Sequence, residues 1–180
     1  MQTLYLIRHT TPAIAPGTCY GQLDIGVASS FAQEAQQVRE LLPQVEFILT
    51  SPLSRARKLA EYLAQERHSE VRSDARLMEK HFGDWEGRAW DSIAREEIEA
   101  WTEDVEGYAP AGGESARQVA RRVRAVLREV AQLPHDSIAV TTHGGIIRTI
   151  LAQLGETPLT DVLRWEVGYG AVIAVRNSRR

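Results

Sequence analysis

Leu4-Tyr5-Leu6-Ile7-Arg8-His9 is an apolar run that stops on an arginine and a histidine, and it decides the fold. Far downstream, Ser137-Ile138-Ala139-Val140-Thr141-Thr142-His143-Gly144-Gly145 has the same form. Both runs have the length and composition of buried strands. In open parallel sheets, ligands bind just beyond the carboxyl ends of the strands. Two strands that each deliver a histidine to one edge therefore predict a single pocket that handles phosphate.

The composition is that of one ordinary globular domain, residues 1–180. Hydrophobic residues make up 43% of the chain and charged residues 25%, which is usual for such a domain. The net charge of −3 gives no reason to expect nucleic acid or an acidic membrane surface as a partner. No apolar stretch approaches the roughly 20 residues of a membrane span.

The cysteine content and the N-terminal sequence bear on the compartment. Cys19 is the only cysteine, so no internal disulfide can form, which favours a reducing environment. The N-terminus lacks the basic and then apolar segments of a signal peptide. We therefore expect a cytoplasmic protein, and the sequence leaves its oligomeric state open.

Strand and helix patterns alternate along the chain, which predicts a mostly parallel sheet covered by helices on both faces. The predicted strands are Thr3–Arg8, Val45–Thr50, Glu70–Ser73, Ser137–Thr142 and Ala171–Arg176. The predicted helices are Ser30–Leu42, Leu53–Gln65, Glu114–Leu133, Gly145–Leu154 and Pro158–Arg164.

Helix-start signals precede two of these helices. Ser30 and Gln33 have the spacing of a capping box, and Ser51-Pro52 is a cap followed by a proline. The irregular stretch 77–110 predicts an excursion over the sheet edge, with a helix at Asp91–Trp101 inside it.

The Arg8-His9 pair suits phosphoryl transfer. The ordinary pKa of histidine lies near 6.5, so a neutral His9 can attack phosphorus at neutral pH. Arg8 would hold the phosphate oxygens and disfavour the imidazolium form. The alternative is a strand-end pair bound to surface carboxylates.

Two strand-to-helix turns add anion-binding groups. Arg55 follows Ser51-Pro52 in the first turn of a helix, where backbone amides and the helix dipole favour an anion. His143 could donate a hydrogen bond to the transferred group, and Gly144 would let backbone amides approach it. The alternatives are an arginine paired with an acidic neighbour and a histidine that only caps its helix.

A leaving alcohol needs a proton donor, and the segment Leu77–Gly87 holds three carboxyl groups. Glu79, Asp84 and Glu86 are all candidates, and spacing alone does not choose between them. A P-loop is excluded because neither lysine follows a glycine. A metal held by His9, His143 and a carboxylate is a minor alternative, since the nearby arginines would repel a cation.

Together these segments resemble the histidine phosphatase superfamily, the phosphoglycerate-mutase-like proteins. The matching motifs, in the family's order, are Leu4–His9, Ser51–Ala56, Glu79–Gly87, Pro110–Ser115 and Thr142–Gly145. The resemblance implies a three-layer α/β/α fold and a phosphohistidine intermediate, with no metal and no other cofactor. It also implies that His9 is the nucleophile, that Arg8, Arg55 and His143 bind the phosphate, and that Glu79 is the proton donor.

Within the superfamily the chain looks most like the α-ribazole-5′-phosphate phosphatases, which act in cobalamin assembly. The pointers are Pro16–Gln22, Phe82–Glu86 and the short length. We expect a small phosphorylated substrate, with contacts from Thr10, Tyr20, Gly21, Gln22 and Gly144. The alternatives are a sugar-phosphate or phosphoglycerate phosphatase or mutase of the same superfamily, and a module that binds phosphorylated ligands without turnover.

The chain departs from the family pattern near the nucleophile. Thr10 stands where glycine is usual, and an asparagine of the phosphate pocket is replaced by Ala15. A hydroxyl from Thr10 or Thr11 is the candidate replacement for that asparagine.

Overall fold

The fold is built on one five-stranded sheet with the strand order β3-β2-β4-β1-β5. The computed structural model describes residues 1–65, 67–155 and 157–178. The strands are β1 (Gln2–Arg8), β2 (Phe47–Thr50), β3 (Glu70–Ser73), β4 (Ser137–Thr142) and β5 (Val172–Asn177). Strands β1 to β4 run parallel, and β5 pairs antiparallel with β1. The prediction of a mostly parallel sheet is confirmed.

Helices cover both faces of the sheet, as the alternating pattern predicts. They are α1 (Phe31–Leu41), α2 (Ser54–Gln65), α3 (Arg95–Glu103), α4 (Ala116–Val130), α5 (Gly144–Leu154) and α6 (Leu159–Val162). None of the helices in the described part of the chain combines the length and apolar character needed to cross a membrane. The three-layer α/β/α architecture is confirmed.

The alternation of side chains along the strands makes two separate cores. Leu4 and Leu6 of β1 pack with α4 and α5 in one cluster, whereas Ile7 packs with α1 and α2 in the other. All three side chains are buried. Each such burial stabilises the fold by about 1.5–3 kcal/mol, so β1 holds both helix layers on the sheet.

Two predicted helix starts differ from the structure. The prediction of a capping box at Ser30 and Gln33 is wrong. The Ser30 hydroxyl donates to Glu34 Oε1 at 2.5 Å and caps no backbone amide. Helix α2 begins at Ser54 instead of Leu53. Asp24, from a distant loop, accepts hydrogen bonds from the Ser54 backbone N–H and hydroxyl, both at 2.7 Å. The Ser51 hydroxyl also accepts the Leu53 N–H at 3.3 Å, so the tertiary contact adds to the local one.

The excursion after β3 crosses the edge of the sheet at which the parallel strands end, and it differs from its prediction in helix content. The Thr142 hydroxyl donates to the carbonyl of Leu77 at 2.7 Å, so the excursion starts across the carboxyl ends of the strands. The predicted helix Asp91–Trp101 is a 3-10 turn, Trp90–Ser92, followed by α3. The excursion has its own core, in which Trp85 is fully buried against Cys19 and Ile93.

The other boundaries lie close to their predictions. Helix α4 is shorter than predicted and begins after Ser115, which forms a capping box with Gln118. Helix α5 begins one residue before its predicted start, and α6 spans four residues of the predicted seven, 158–164. The strands β2 and β5 are also shifted by one or two residues at their ends, which is the usual uncertainty of boundaries.

Candidate active site

The strand register brings two distant histidines together. Arg8 of β1 lies opposite Thr142 of β4, and the His9 N–H donates to the Thr142 carbonyl at 3.0 Å. The residues after these strand ends, His9 and His143, are therefore neighbours, with ring centroids 5.2 Å apart. That separation is close to the ~4.8 Å spacing of paired strands. Each residue is only 1% exposed.

His9 is held as a neutral imidazole with one nitrogen free. Its Nδ1 lies 2.7 Å from the carbonyl oxygen of Thr10. A carbonyl can only accept, so Nδ1 carries the hydrogen and Nε2 keeps its lone pair. The pKa of His9 is lowered to about 3, mainly by burial and to a smaller extent by the positive charges of Arg55 and Arg8, while the hydrogen bond with Thr10 opposes the shift. Arg8 lowers the pKa of His9, as expected, but burial contributes more to the shift.

His143 has a partner that the sequence analysis missed. Its Nε2 is hydrogen-bonded to the Ser51 hydroxyl at 2.8 Å, while its Nδ1 is buried with no hydrogen-bond partner among the described residues. Burial lowers the pKa of His143 well below 6.5. Ser51 follows β2, whose end lies beside β4, and its N–H donates to Thr141 at 3.0 Å. The position of Ser51 at a strand end was the available signal.

Arg55 is fully buried beneath the loop that follows His9. Its guanidinium donates to the carbonyls of Gly21 at 2.6 Å and Leu23 at 2.9 Å. Its Nε is buried without a partner in the described part of the chain. Gly21 has φ +30°, and a Cβ there would lie 2.5 Å from the Lys80 carbonyl oxygen. Arg55 therefore fixes this loop and keeps one N–H unpaired.

Arg8 is positioned by the turn before β5. Its Nη1 donates to the carbonyl of Val167 at 2.5 Å, and its guanidinium lies 3.9 Å from the ring centroid of Tyr169. Tyr169 also lies 5.6 Å from the His9 ring, centroid to centroid. No sequence motif marks Tyr169. Gly144 lies beside this arginine, since a Cβ there would be 3.4 Å from Arg8 Nε.

Of the three carboxyl candidates, only Glu79 lines the catalytic cavity. Its Oε2 accepts from the Gly145 N–H at 3.0 Å, and its Oε1 accepts from the Lys80 N–H at 2.9 Å. Asp84 is exposed. Glu86 accepts backbone N–H groups of Gln22, Leu23 and Phe82. The structure thus distinguishes Glu79 from Asp84 and Glu86, a choice that spacing along the sequence left open.

The backbone of Glu79 is anchored by side chains from elsewhere in the fold. Arg122 of α4 donates to the carbonyls of Arg76 at 2.6 Å, Met78 at 2.7 Å and Glu79 at 3.0 Å. Gln22 Nε2 also donates to the Glu79 carbonyl at 3.0 Å. Gln22 therefore supports the backbone at Glu79 and is not one of the residues that line the cavity.

The cavity above His9 has a volume of about 760 Å³. Arg8, His9 and Glu79 line one part of it, and Tyr20 and Gly21 also contribute. The excursion supplies an aromatic wall of Phe82, Trp90 and Trp101. Three more cations are also among the lining residues: Lys80, Arg148 and Arg164. Thr10 is fully buried, and its hydroxyl has no partner among the described residues.

The alternative of a metal site finds no ligand cluster. Within residues 1–65, 67–155 and 157–178, no three His, Cys, Asp or Glu side chains are grouped to hold a metal ion. Arg8, His9 and Glu79 line the cavity. His143 lies beside the His9 ring, and Arg55 is close enough for its charge to lower the pKa of His9, but neither of them is among the lining residues.

A search against protein-family models matches residues 4–180 to the histidine phosphatase superfamily (branch 1). The chain belongs to this superfamily. This histidine phosphatase is a phosphoric monoester hydrolase, and its relatives include phosphatases with different named substrates.

Two curated relatives and one solved structure illustrate that range. The adenosylcobalamin/α-ribazole phosphatase of Escherichia coli K12 is 29% identical, over 96% of this chain and 88% of its own. The glucosyl-3-phosphoglycerate phosphatase of Mycobacterium tuberculosis is 32% identical, over 88% and 77%. The native structure of mycobacterial glucosyl-3-phosphoglycerate phosphatase superposes with a TM-score of 0.85 at 28% identity, covering 96% and 89%.

Proposed function

We propose that this histidine phosphatase hydrolyses a small phosphomonoester through a phosphohistidine at His9. The observation that carries the proposal is the state of the His9 ring. Its Nδ1 is tied to the Thr10 carbonyl, so Nε2 is left with a free lone pair in a residue that lines the cavity with Glu79. A neutral imidazole nitrogen in that position is a nucleophile that needs no general base.

The first step forms a phosphorus–nitrogen bond and breaks the ester bond. His9 Nε2 attacks phosphorus, and the leaving oxygen takes the proton of the Glu79 carboxyl group as the bond to phosphorus breaks. In the second step Glu79, now a carboxylate, takes a proton from water. The water oxygen attacks phosphorus, the phosphorus–nitrogen bond breaks, and inorganic phosphate leaves with neutral His9 restored.

Charge on the transferred group is stabilised by Arg8, Arg55 and His143. Phosphoryl transfer depends mainly on such electrostatic stabilisation. The unpaired Nε atoms of both arginines, and Nδ1 of His143, are the donors available to phosphate oxygens. In this arrangement Ser51 donates to His143 Nε2, so that His143 Nδ1 carries a hydrogen and donates it to the phosphoryl group.

The substrate that we propose is α-ribazole-5′-phosphate, with a role in cobalamin assembly in the cytoplasm. The E. coli relative supports this choice by its name. The wall of the cavity supports it by its chemistry, because Trp90 and Trp101 stack with ring centroids 5.9 Å apart and an interplanar angle of 14°. Flat aromatic rings pack well against such a wall, and the leaving group of α-ribazole-5′-phosphate carries an aromatic base.

A phosphoglycerate-type ester is the second candidate substrate, and a specific observation favours it. Arg148 and Arg164 also line the cavity, and guanidinium groups bind carboxylates in bidentate geometry. An anionic leaving group would use these cations, whereas an uncharged nucleoside would not. Initial rates with α-ribazole-5′-phosphate, glucosyl-3-phosphoglycerate and 3-phosphoglycerate rank the two candidates.

The mechanism is tested with His9→Ala, with His68→Asn as the matched control because His68 is exposed. We expect His9→Ala to lose at least about a thousandfold of phosphatase activity, since the covalent route is closed, and His68→Asn to retain it. Rapid quenching of the wild type should trap protein-bound phosphate that is labile in acid and stable in base. Full activity in His9→Ala would refute the mechanism. Phosphate binding without turnover by the wild type would indicate a binding module instead.

A further inference from the structure

Lys80 is a buried lysine in the wall of the catalytic cavity, and the mechanism above does not use its ammonium group. The residue is 9% exposed and lines the cavity together with His9 and Glu79. Its Nζ lies 5.3 Å from the ring centroid of Phe82 and 5.5 Å from that of Trp101. The ammonium therefore lies against the aromatic wall of the cavity that His9 and Glu79 also line.

This ammonium has no acceptor in the part of the chain that the structure describes. It makes neither a hydrogen bond nor an ion pair there, although an ammonium carries three donors. Lysine is almost never buried to this extent unless it is paired. The two aromatic rings offer a cation some compensation, but a ring face does not replace an oxygen acceptor.

The surroundings of Lys80 argue against a purely structural role. A lysine that only packs its carbon chain normally extends its charged end to water. Burial lowers the pKa of Lys80, and the carboxylates of Glu114 and Glu79 oppose that shift without forming an ion pair with it. The fold thus holds a cationic donor, without an acceptor among the described residues, in the cavity where the alcohol part of a substrate would lie.

We propose that Lys80 forms a leaving-group subsite, in which its ammonium donates a hydrogen bond to an oxygen of the substrate's alcohol part. The oxygen belongs to a sugar hydroxyl or to a carboxylate, and both are acceptors. The proposal rests on the proposed function of the same cavity. The Lys80 backbone N–H already donates to Glu79 Oε1 at 2.9 Å, so one residue holds the proton donor and recognises the group that receives the proton.

The kinetic test compares three substrates that differ in the leaving group. Phenyl phosphate offers no hydroxyl or carboxylate there, ribose 5-phosphate offers hydroxyls, and 3-phosphoglycerate offers a carboxylate. In Lys80→Met we expect kcat/KM for ribose 5-phosphate or 3-phosphoglycerate to fall at least about tenfold further than for phenyl phosphate, the loss of one charge-assisted hydrogen bond. A larger loss of kcat/KM for ribose 5-phosphate identifies a hydroxyl as the acceptor, and a larger loss for 3-phosphoglycerate identifies a carboxylate.

The chain supplies its own control, because Lys58 is the only other lysine and it is exposed. Lys58→Met should leave the substrate ratios of the wild type unchanged. An equal loss for all three substrates in Lys80→Met, or no loss, overturns the proposal. If the wild type turns over none of the three esters, the proposed function fails instead, and binding decides the role of Lys80.

Binding is followed by NMR on His9→Ala protein labelled with ¹⁵N-lysine, in which two Nζ signals are expected. Ribose 5-phosphate or 3-phosphoglycerate should shift the Lys80 signal beyond the shift that inorganic phosphate causes, while the Lys58 signal stays in place. The signals are assigned with Lys80→Met and Lys58→Met. A Lys80 signal that responds to inorganic phosphate and to all three esters alike overturns the subsite.

Discussion

Glu79 shows how the contacts of one residue define its chemistry. Its two carboxyl oxygens accept N–H groups from Lys80 and Gly145. A Cβ on Gly145 would lie 2.4 Å from Glu79 Oε1, so the absence of a side chain there leaves space for the carboxyl group. The group is thus fixed at the N-terminus of α5, beside the cavity that contains His9.

Replacing Glu79 with glutamine should slow the hydrolysis of esters with poor leaving groups much more than that of esters with good leaving groups. The amide cannot donate the proton that an alkoxide needs, so we expect kcat for alkyl phosphates to fall about 10²–10⁴-fold. The loss for p-nitrophenyl phosphate should be much smaller, because nitrophenolate leaves without protonation. Steady-state kinetics with both esters measure the difference, and exposed Asp84→Asn is the control. Equal losses for the two esters would move the proton donor elsewhere.

At the scale of elements, α4 braces the excursion that carries Glu79, the proposed proton donor. Arg122 binds three carbonyls of residues 76–79 and forms a short ion pair with Glu114, its Nε lying 2.9 Å from Glu114 Oε1. Glu114 Oε2 in turn accepts the His81 N–H at 2.9 Å. One partly buried ion pair thus connects a helix, the start of the excursion and the carbonyl of Glu79.

Removing the guanidinium of Arg122 should destabilise the fold. Arg122→Met leaves a partly buried Glu114 carboxylate and three carbonyls without their donor, and breaking such a pair costs about 3–5 kcal/mol. Urea unfolding measures the change, with Arg121→Met, on the exposed neighbour, as the control. We also expect kcat for alkyl phosphates to decrease, since Glu79 loses an anchor. If the urea unfolding curves of Arg122→Met and Arg121→Met coincide, Arg122 does not stabilise the fold.

At the scale of the whole molecule, folding buries two imidazoles beside two guanidinium groups. His9, His143 and Arg55 are each at most 1% exposed. Burial holds the pKa of both histidines below the ordinary value. The fold therefore favours the neutral imidazole that nucleophilic attack requires, and stability becomes sensitive to acid.

The free energy of unfolding should fall as the pH falls from about 6.5 toward 3. In this range folded His9 stays neutral, with a pKa of about 3, while the same residue in the unfolded chain takes up a proton below about 6.5. The unfolded state then binds more protons, so His9 contributes a slope of up to about 1.4 kcal/mol per pH unit. His143 acts with the same sign.

Urea unfolding at pH 4, 5, 6 and 7 measures this slope in the wild type and in His9→Asn. The variant should show a shallower dependence, because asparagine does not titrate. The difference between the two proteins isolates His9 from the carboxylates, which they share. Parallel pH dependences would contradict a neutral buried His9.

The sequence by itself determined the strands and the residues at their ends. Apolar runs followed by Arg8-His9 and by His143 predict a parallel sheet with both histidines at one edge, because parallel strands end on the same side. The resemblance to a family selected Glu79 from three carboxyl groups, a choice that spacing left open. These features depend on local patterns and on motifs, which a sequence displays directly.

Only the tertiary structure decided which distant groups complete the site. Ser51 meets His143, Tyr169 packs on Arg8, and the Lys80 ammonium lies in the cavity wall. A local pattern shows that Ser51 follows a strand, but none predicts these contacts, because each depends on how separate loops meet over the sheet. The Ser30 cap failed for the same reason: Glu34, already bound to the Thr11 N–H at 2.9 Å, takes the Ser30 hydroxyl, so a contact between segments overrides the local motif.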